Sequence, residues 1–216
     1  MKVSKLVFNP FEENTYILWD EGSKDSIVID PGMFDDNERR QFDEYMESLQ
    51  LNVNQILLTH LHLDHAASAK YVSERYGAKI CANAKDAQLG LLLSQQAKMF
   101  GFELSLPSVV IDTYLSDGDM IEVENEHISV IETPGHTQGG LSFYVKESSI
   151  VFVGDTLFMQ SIGRTDLPGG DHMQLMDSIK NKLFSLPDET LVLCGHGGGT
   201  TIGDEKSYNP YIVNSR

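Results

Sequence analysis

Three histidines and one aspartate crowd into one short stretch of this sequence, His60-Leu61-His62-Leu63-Asp64-His65. Imidazole and carboxylate groups are common ligands of divalent metal ions. Because the chain has only 7 His in 216 residues, this crowding indicates a site rather than a solvated loop. Alternate side chains of an extended segment share a face, so His60 and His62 could bind one ion. Asp64 and His65 would then approach a second ion.

The elements around this stretch predict where it lies. Residues Val53–Thr59 are aliphatic and β-branched and predict a buried strand. Residues Ala66–Tyr76 are good helix formers, and Gly77 is placed to end the helix. The histidines therefore lie on a loop at the carboxyl end of a strand, where open α/β sheets place ligands.

Three further polar residues follow predicted strands, and each comes directly after a glycine: His136, Asp155 and His196. Glycine permits tight turns and lets the backbone approach a site closely. With the first cluster they make five histidines and two aspartates on four loops. This inventory suits two divalent ions, and nitrogen and oxygen ligands favour zinc, iron or manganese over a soft thiolate site.

Three other candidate residues are less decisive. Asp30 ends a predicted strand in Asp30-Pro31-Gly32, and is either a turn-initiating residue or a hydrogen-bond partner of a ligand imidazole. His127 has Glu124 and Glu126 beside it and is expected at the surface. His172 falls in the first turn of a predicted helix, as a solvated or supporting group.

The order of the elements predicts the fold class. It is an α/β chain with two mixed sheets packed face to face and helices outside, in a single domain over residues 1–216. The segment Ser94–Leu106 is irregular in pattern. The predicted strands are Lys2–Val7, Asn14–Trp19, Ser26–Asp30, Val53–Thr59, Lys79–Ala82, Val109–Ile111, Met120–Val123, His127–Glu132, Leu141–Val145, Ile150–Val153 and Thr190–Leu193. The predicted helices are Asn37–Leu49, Ala66–Tyr76, Ala84–Leu93 and Asp171–Phe184.

Charge and composition narrow the partners. The formal net charge is −16 and no basic patch is visible, so we expect no nucleic-acid partner. No apolar run is long enough to cross a membrane and the N-terminus lacks a leader pattern, so we expect a soluble, cytoplasmic protein. Cys81 and Cys194 are far apart and form no ligand pair, which suits a reducing compartment.

Taken together, the residues Thr59–His65, His136, Asp155 and His196 resemble the metallo-β-lactamase superfamily in order and spacing over nearly the whole chain. Further stretches are similar to the glyoxalase II-like branch in a short form. These are Gly154–Phe158, Gly163–Asp166, Gly195–Gly197, Thr200–Lys206 and Asn209-Pro210. The resemblance implies the αβ/βα sandwich and thioester hydrolysis, with S-lactoylglutathione as the reference substrate.

The resemblance also implies a ligand assignment. His60, His62 and His136 would hold the first metal, Asp64, His65 and His196 the second, and Asp155 would bridge them. We expect two divalent ions, zinc ahead of iron or manganese. A metal-bridging hydroxide, with Asp64 and Asp155 as the catalytic carboxylates, would then attack the acyl carbon.

The sequence departs from the branch at several points. Glyoxalase II enzymes have a C-terminal helical region that grips glutathione, and this sequence stops at Arg216, so we expect that clamp to be largely missing. Gly198 stands where the branch tends to have tyrosine, and Cys194 where proline is frequent. Arg164 occupies the place of a basic residue near the substrate; it could bind substrate or simply pair with Asp166.

Two alternative activities stay open. The Gly163–Asp166 stretch is also similar to persulfide dioxygenases of the superfamily, which use one iron held by two histidines and an aspartate. All ligands of the second site are present here, which favours the hydrolase. A lactonase is another alternative, whereas the charge of −16 argues against an RNA-processing nuclease. The expected partner is a small-molecule thioester, and the sequence does not indicate an oligomeric state.

Overall fold

The computed structural model describes residues 1–123 and 126–213, which divide into two compact units, one over Met1–Leu115 and one that begins at Ser116. Each unit has its own six-stranded sheet, and each sheet mixes parallel and antiparallel pairs. The predicted α/β class with two mixed sheets is therefore confirmed. The assignment of residues 1–216 to a single domain stays a prediction.

The sheet of the first unit has its strands in chain order. The first three strands form an antiparallel meander, and the next three run parallel to the third. All seven residues of the second strand are buried, so this strand is fully covered. The strands are β1 (Lys2–Phe8), β2 (Glu13–Trp19), β3 (Asp25–Ile29), β4 (Asn52–Leu57), β5 (Lys79–Ala82) and β6 (Thr113–Tyr114).

The helices of the first unit lie between its parallel strands. The longest begins where the Asp35 carboxylate accepts hydrogen bonds from two first-turn amides, and it buries Phe42 and Met46. The helices are α1 (Asp36–Leu49), α2 (Leu63–Ala66), α3 (Ala69–Tyr76), α4 (Ala87–Leu91) and α5 (Leu93–Met99), with a 3-10 turn at Ala84–Asp86.

The single helix predicted over Ala66–Tyr76 is wrong at its start, because two helices meet at Ser68. The backbone of Ser68 leaves the α region at φ −112° and ψ 13°. Its amide donates to Pro31 O at 3.0 Å and its hydroxyl donates to Met33 O at 2.6 Å. These bonds to the β3–α1 loop replace bonds that a continuous helix would make.

The region from Ala84 to Ile111 also differs from the prediction. The segment Ser94–Leu106 is not wholly irregular, because α5 occupies its first half and buries Leu93 and Ala97. The predicted strand Val109–Ile111 is absent: the Val109 amide donates to Gly90 O at 2.9 Å instead of joining the sheet. Pairing with β5 begins only at β6.

The strands of the second unit are β7 (Met120–Val123), β8 (Glu126–Glu132), β9 (Leu141–Val145), β10 (Ile150–Gly154), β11 (Leu157–Phe158), β12 (Ser161–Ile162), β13 (Leu191–Cys194) and β14 (Thr200–Thr201). Six of them form a sheet in the order β14-β13-β10-β9-β8-β7. Among the described residues of this sheet, β10 and β13 form the single parallel pair, and the predicted hairpin of β9 and β10 is confirmed. A separate two-stranded ribbon joins β11 and β12.

The helices of the second unit include the predicted one at Asp171–Phe184, which is only half α-helical. Asp171 caps α6 (His172–Asp177) by accepting from two backbone amides. The chain then continues as a π-helical turn over Ser178–Lys182 and a 3-10 turn over Leu183–Ser185. Two more helices follow, α7 (Ile202–Tyr208) and α8 (Pro210–Val213). Within the described ranges, no helix is long and apolar enough to cross a membrane.

Gly135 illustrates a backbone constraint beside a candidate ligand. Its φ is +134°, and a Cβ at this position would overlap the backbone of Leu175 in α6. Gly118 also has a positive φ, +86°, but a Cβ there would meet open space. Substitution of Gly118 therefore introduces backbone strain alone, whereas substitution of Gly135 introduces both backbone strain and steric overlap.

We predict that Gly135→Ala lowers the free energy of unfolding by about 3 kcal/mol, because strain and overlap add. The control Gly118→Ala should lose about 1 kcal/mol, from backbone strain alone. Urea titration of the metal-free proteins measures both values. Equal losses for the two variants would show that the Leu175 backbone gives way.

Candidate metal centre

Three imidazoles come together at the junction of β4 and α2 in the first unit: His60 and His62 precede α2, and His65 lies within it. His60, His62 and His65 are 2%, 8% and 0% exposed. The ring centroid of His60 lies 4.8 Å from that of His62 and 4.1 Å from that of His65. Such close burial of polar rings is costly without binding partners. His60, His62, Asp64 and His65 are called the unit 1 ligand set below.

Asp30 fixes the orientation of His65. Its backbone has a φ of +52°, and its carboxylate accepts from Thr59 N at 2.7 Å and Thr59 Oγ1 at 2.6 Å. Asp30 Oδ2 also lies 3.1 Å from His65 Nδ1. Because an ionised carboxylate can only accept, the His65 proton sits on Nδ1 and Nε2 carries the lone pair. That Nε2 lies 3.7 Å from Asp64 Oδ2.

Thr59 fixes His60 in the same tautomer. The Thr59 hydroxyl gives its one proton to Asp30, so it can only accept from His60 Nδ1, which lies 3.0 Å away. The lone pair of His60 is then on Nε2. One carboxylate at the end of β3 thus orients two imidazoles, one directly and one through a hydroxyl.

Glu13 lies close to Asp30, and no sequence pattern indicates it as a site residue. Thr15 Oγ1 is 2.9 Å from Glu13 Oε2 and 2.8 Å from Asp30 O. Oxygens of Glu13 and Asp30 and a ring nitrogen of His65 lie within 4.8 Å of one another. Burial raises the pKa of Glu13 well above its usual value, which favours the neutral carboxyl.

The second unit places its three candidate ligands on loops that follow β8, β10 and β13. Asp155 lies at the centre: its Oδ2 is 3.6 Å from His136 Nε2 and 3.5 Å from His196 Nε2. His136 is 5% exposed, and the side chains of Asp155 and His196 are 13% and 24% exposed. His136, Asp155 and His196 are called the unit 2 ligand set below.

The main chain of Arg164 orients His136. His136 Nδ1 lies 2.8 Å from the carbonyl oxygen of Arg164, which can only accept. The proton is therefore on Nδ1 and the lone pair on Nε2, which lies 3.6 Å from Asp155 Oδ2. Gly163, the residue before Arg164, lies against the main chain of Asp155, where a Cβ would overlap the Asp155 carbonyl oxygen.

The side chain of Arg164 is paired with Asp166. Two nearly parallel hydrogen bonds of 2.7 and 2.8 Å join the guanidinium to the carboxylate, and both side chains are more than half exposed. The Arg164 bond lowers the pKa of Asp166 to about 2. The exposed guanidinium could exchange Asp166 for a substrate anion, since exposed pairs are weak.

The remaining histidines and the cysteines stand apart from the ligand sets. His127 is exposed with Nδ1 3.4 Å from Glu147 Oε1, and His172 is exposed in the first turn of α6. Cys81 and Cys194 are buried cysteines that are not joined in a disulfide. The two ligand sets contain only imidazoles and carboxylates, which suit divalent zinc, iron or manganese.

Comparisons with known proteins agree with this chemistry. The family model of the metallo-beta-lactamase superfamily matches residues 8–196. The hydroxyacylglutathione hydrolase GloC of Haemophilus influenzae is 36% identical over 219 residues, covering 98% of this chain and 98% of that protein. This chain and the Haemophilus influenzae protein therefore have nearly the same length.

Two solved structures share the fold. The BLEG-1 B3 metallo-beta-lactamase superposes with a TM-score of 0.89 and 32% identity, covering 98% of this chain and 99% of that one. TTHA1623 in a di-iron-bound form gives a TM-score of 0.85 and 33% identity, covering 96% and 99%. The family match, the GloC relative and the fold lead to one conclusion: the chain belongs to the metallo-β-lactamase superfamily.

Proposed function

We propose that this protein is a binuclear metal-dependent hydrolase that cleaves acyl thioesters, with S-lactoylglutathione or a related thioester as substrate. The superfamily consists mostly of metal-dependent hydrolases. The similarity to a hydroxyacylglutathione hydrolase over nearly the full length supports the thioester class. Zinc is the first candidate metal. The di-iron-bound relative supports iron as an alternative.

One observation carries the proposal: three candidate ligand histidines have their tautomer set by an oxygen acceptor at Nδ1. The acceptors are the Asp30 carboxylate, the Thr59 hydroxyl and a backbone carbonyl. Each arrangement leaves the lone pair on Nε2. This is how metal-binding histidines are usually supported, because the partner raises the basicity of the ligand nitrogen.

We assign the ligands as the resemblance implies. His60, His62 and His136 would hold one ion, and Asp64, His65 and His196 the other. Asp155 would be shared by both. When bound, the ions would acidify a water molecule and polarise the thioester carbonyl.

The protein's own residues supply orientation and charge. Asp30 holds His65 and, through Thr59, His60. Asp64 and Asp155 carry the negative charge of the two ligand sets and are the catalytic carboxylates of the proposal. Arg164 would bind an anionic part of the substrate. A small-molecule partner, no nucleic-acid or membrane partner, and a cytoplasmic location are parts of this proposal.

The first prediction from the proposed function concerns metal content. Protein purified without added metal should contain about two divalent ions per chain and hydrolyse S-lactoylglutathione. Removal of the ions with a chelator should abolish hydrolysis, and zinc should restore it. Elemental analysis and a thioester assay on the same sample measure both.

The rival activities give different results in the same samples. About one iron per chain, no hydrolysis, and oxygen uptake with a persulfide would point to the dioxygenase. Ring opening of a lactone with no thioester cleavage would point to the lactonase. Either result would contradict the thioesterase.

The second prediction concerns Asp155. Asp155→Asn should lower kcat/KM by at least about a hundredfold, because loss of even an outer partner of a metal ligand costs about 10- to 100-fold. Asp188→Asn is the matched control, since Asp188 is an exposed residue of the same unit paired with Lys206. Steady-state kinetics compares them. Wild-type turnover in Asp155→Asn would refute the assignment.

The third prediction concerns Arg164. If its guanidinium binds a substrate carboxylate, Arg164→Met should raise KM for S-lactoylglutathione about tenfold, because a charge-assisted hydrogen bond is lost. KM for the lactoyl thioester of a neutral thiol should not change. Asp166→Asn removes the pair but keeps the guanidinium. If both variants affect both substrates alike, Arg164 serves only the pair with Asp166.

A further inference from the structure

Gln96 is a buried amide on α5 that contacts the main chain on both sides of His62. Its Oε1 accepts from Leu63 N at 3.0 Å. Its Nε2 donates to Leu61 O at 3.1 Å and to Leu89 O at 3.0 Å. The side chain is only 8% exposed. A residue 34 positions away in sequence from His62 therefore holds the peptide groups that flank it.

The partners of Gln96 define its orientation. The one main-chain donor faces Oε1, and the two carbonyl acceptors face Nε2, so both amide protons are used. The flipped amide would oppose donor to donor and acceptor to acceptor. A fully satisfied buried network of this kind is rigid and specifies one arrangement.

The position of these bonds matters for α2. His62 is the residue before the first turn of this short helix, at φ −71° and ψ 154°, and its side chain makes no capping bond. The amide of Leu63 is one of the first-turn donors that a helix leaves unsatisfied. Gln96 satisfies it from another helix, while its Nε2 anchors the preceding carbonyl. The backbone of His62 is thereby held at both ends.

The other residues of the unit 1 ligand set have separate supports. Asn9 Nδ2 donates to Asp64 O at 3.0 Å. Asp30 orients His65, and Thr59 orients His60. The supports of the loop are thus divided among different side chains, and the Gln96 bonds fall on the two neighbours of His62.

We infer that Gln96 is a positioning residue for His62 and sets the affinity of the metal ion that His62 binds. This inference rests on the proposed function, in which His62 holds one of two ions. Without the Gln96 bonds the His62 imidazole is still present, but the His62 backbone can rotate and the ring loses its fixed position. Binding of one ion should weaken, while the ion held by Asp64, His65 and His196 keeps its affinity.

The test is a titration of the metal-free full-length protein with Co²⁺. Calorimetry and the visible absorption of bound Co²⁺ measure the binding. Gln96→Met keeps the side-chain length and removes all three bonds. We expect one of the two ions to bind about tenfold more weakly, as for other outer partners of metal ligands, with a changed spectrum for that ion. Gln95→Met, an exposed neighbour on α5, is the matched control and should bind like wild type.

Folding is measured separately. Urea titration of each metal-free variant gives its stability, which a purely structural role would lower without changing one ion selectively. If Gln96→Met does not fold, Gln96→Glu keeps the size and the acceptor but leaves at most one donor for the two carbonyl oxygens, and is expected to weaken the same ion.

The outcomes separate the two claims. If Gln96→Met binds both ions as tightly as wild type, or binds both equally more weakly, the inference about Gln96 is wrong and the proposed function stands. A wild-type protein that binds no divalent ion would overturn the proposed function and this inference together.

Discussion

A histidine can bind a metal ion only through a nitrogen that carries a lone pair, so the proton must be fixed on the other nitrogen. Several hydrogen bonds around the candidate ligand histidines fix the proton in this way. Asp30 adopts a left-handed backbone at the end of β3 and accepts from both Thr59 and His65. In the second unit a backbone carbonyl does the same for His136. His60, His65 and His136 are stable in these orientations because each of their Nδ1 protons has an acceptor.

The fold and the candidate ligands could largely be predicted from the sequence, for two physical reasons. Aliphatic and β-branched runs indicate strands, and ligand loops lie where such runs end. Asp155 after β10 and His196 after β13 could be singled out in this way. The choice between a turn residue and an imidazole partner for Asp30 could not be made, because it depends on His65, 35 positions away.

The features that could not be predicted depend on long-range partners. Glu13 reads as one more polar residue near a strand, and only the folded chain shows that it lies behind Asp30. Gln96 falls in a segment without clear periodicity, so neither α5 nor its bonds to the loop could be foreseen. The break at Ser68 arises from hydrogen bonds to Pro31 and Met33, which override good helix propensity.

Arg164 divides its contacts between main chain and side chain. Its carbonyl oxygen orients His136, while its guanidinium faces solvent and Asp166. Every amino acid carries the same carbonyl group, so exchange of the side chain at this position leaves the partner of His136 chemically intact. Substitution at this position therefore changes the charge and shape of the surface beside the ligand loop, and it keeps the hydrogen bond that orients His136.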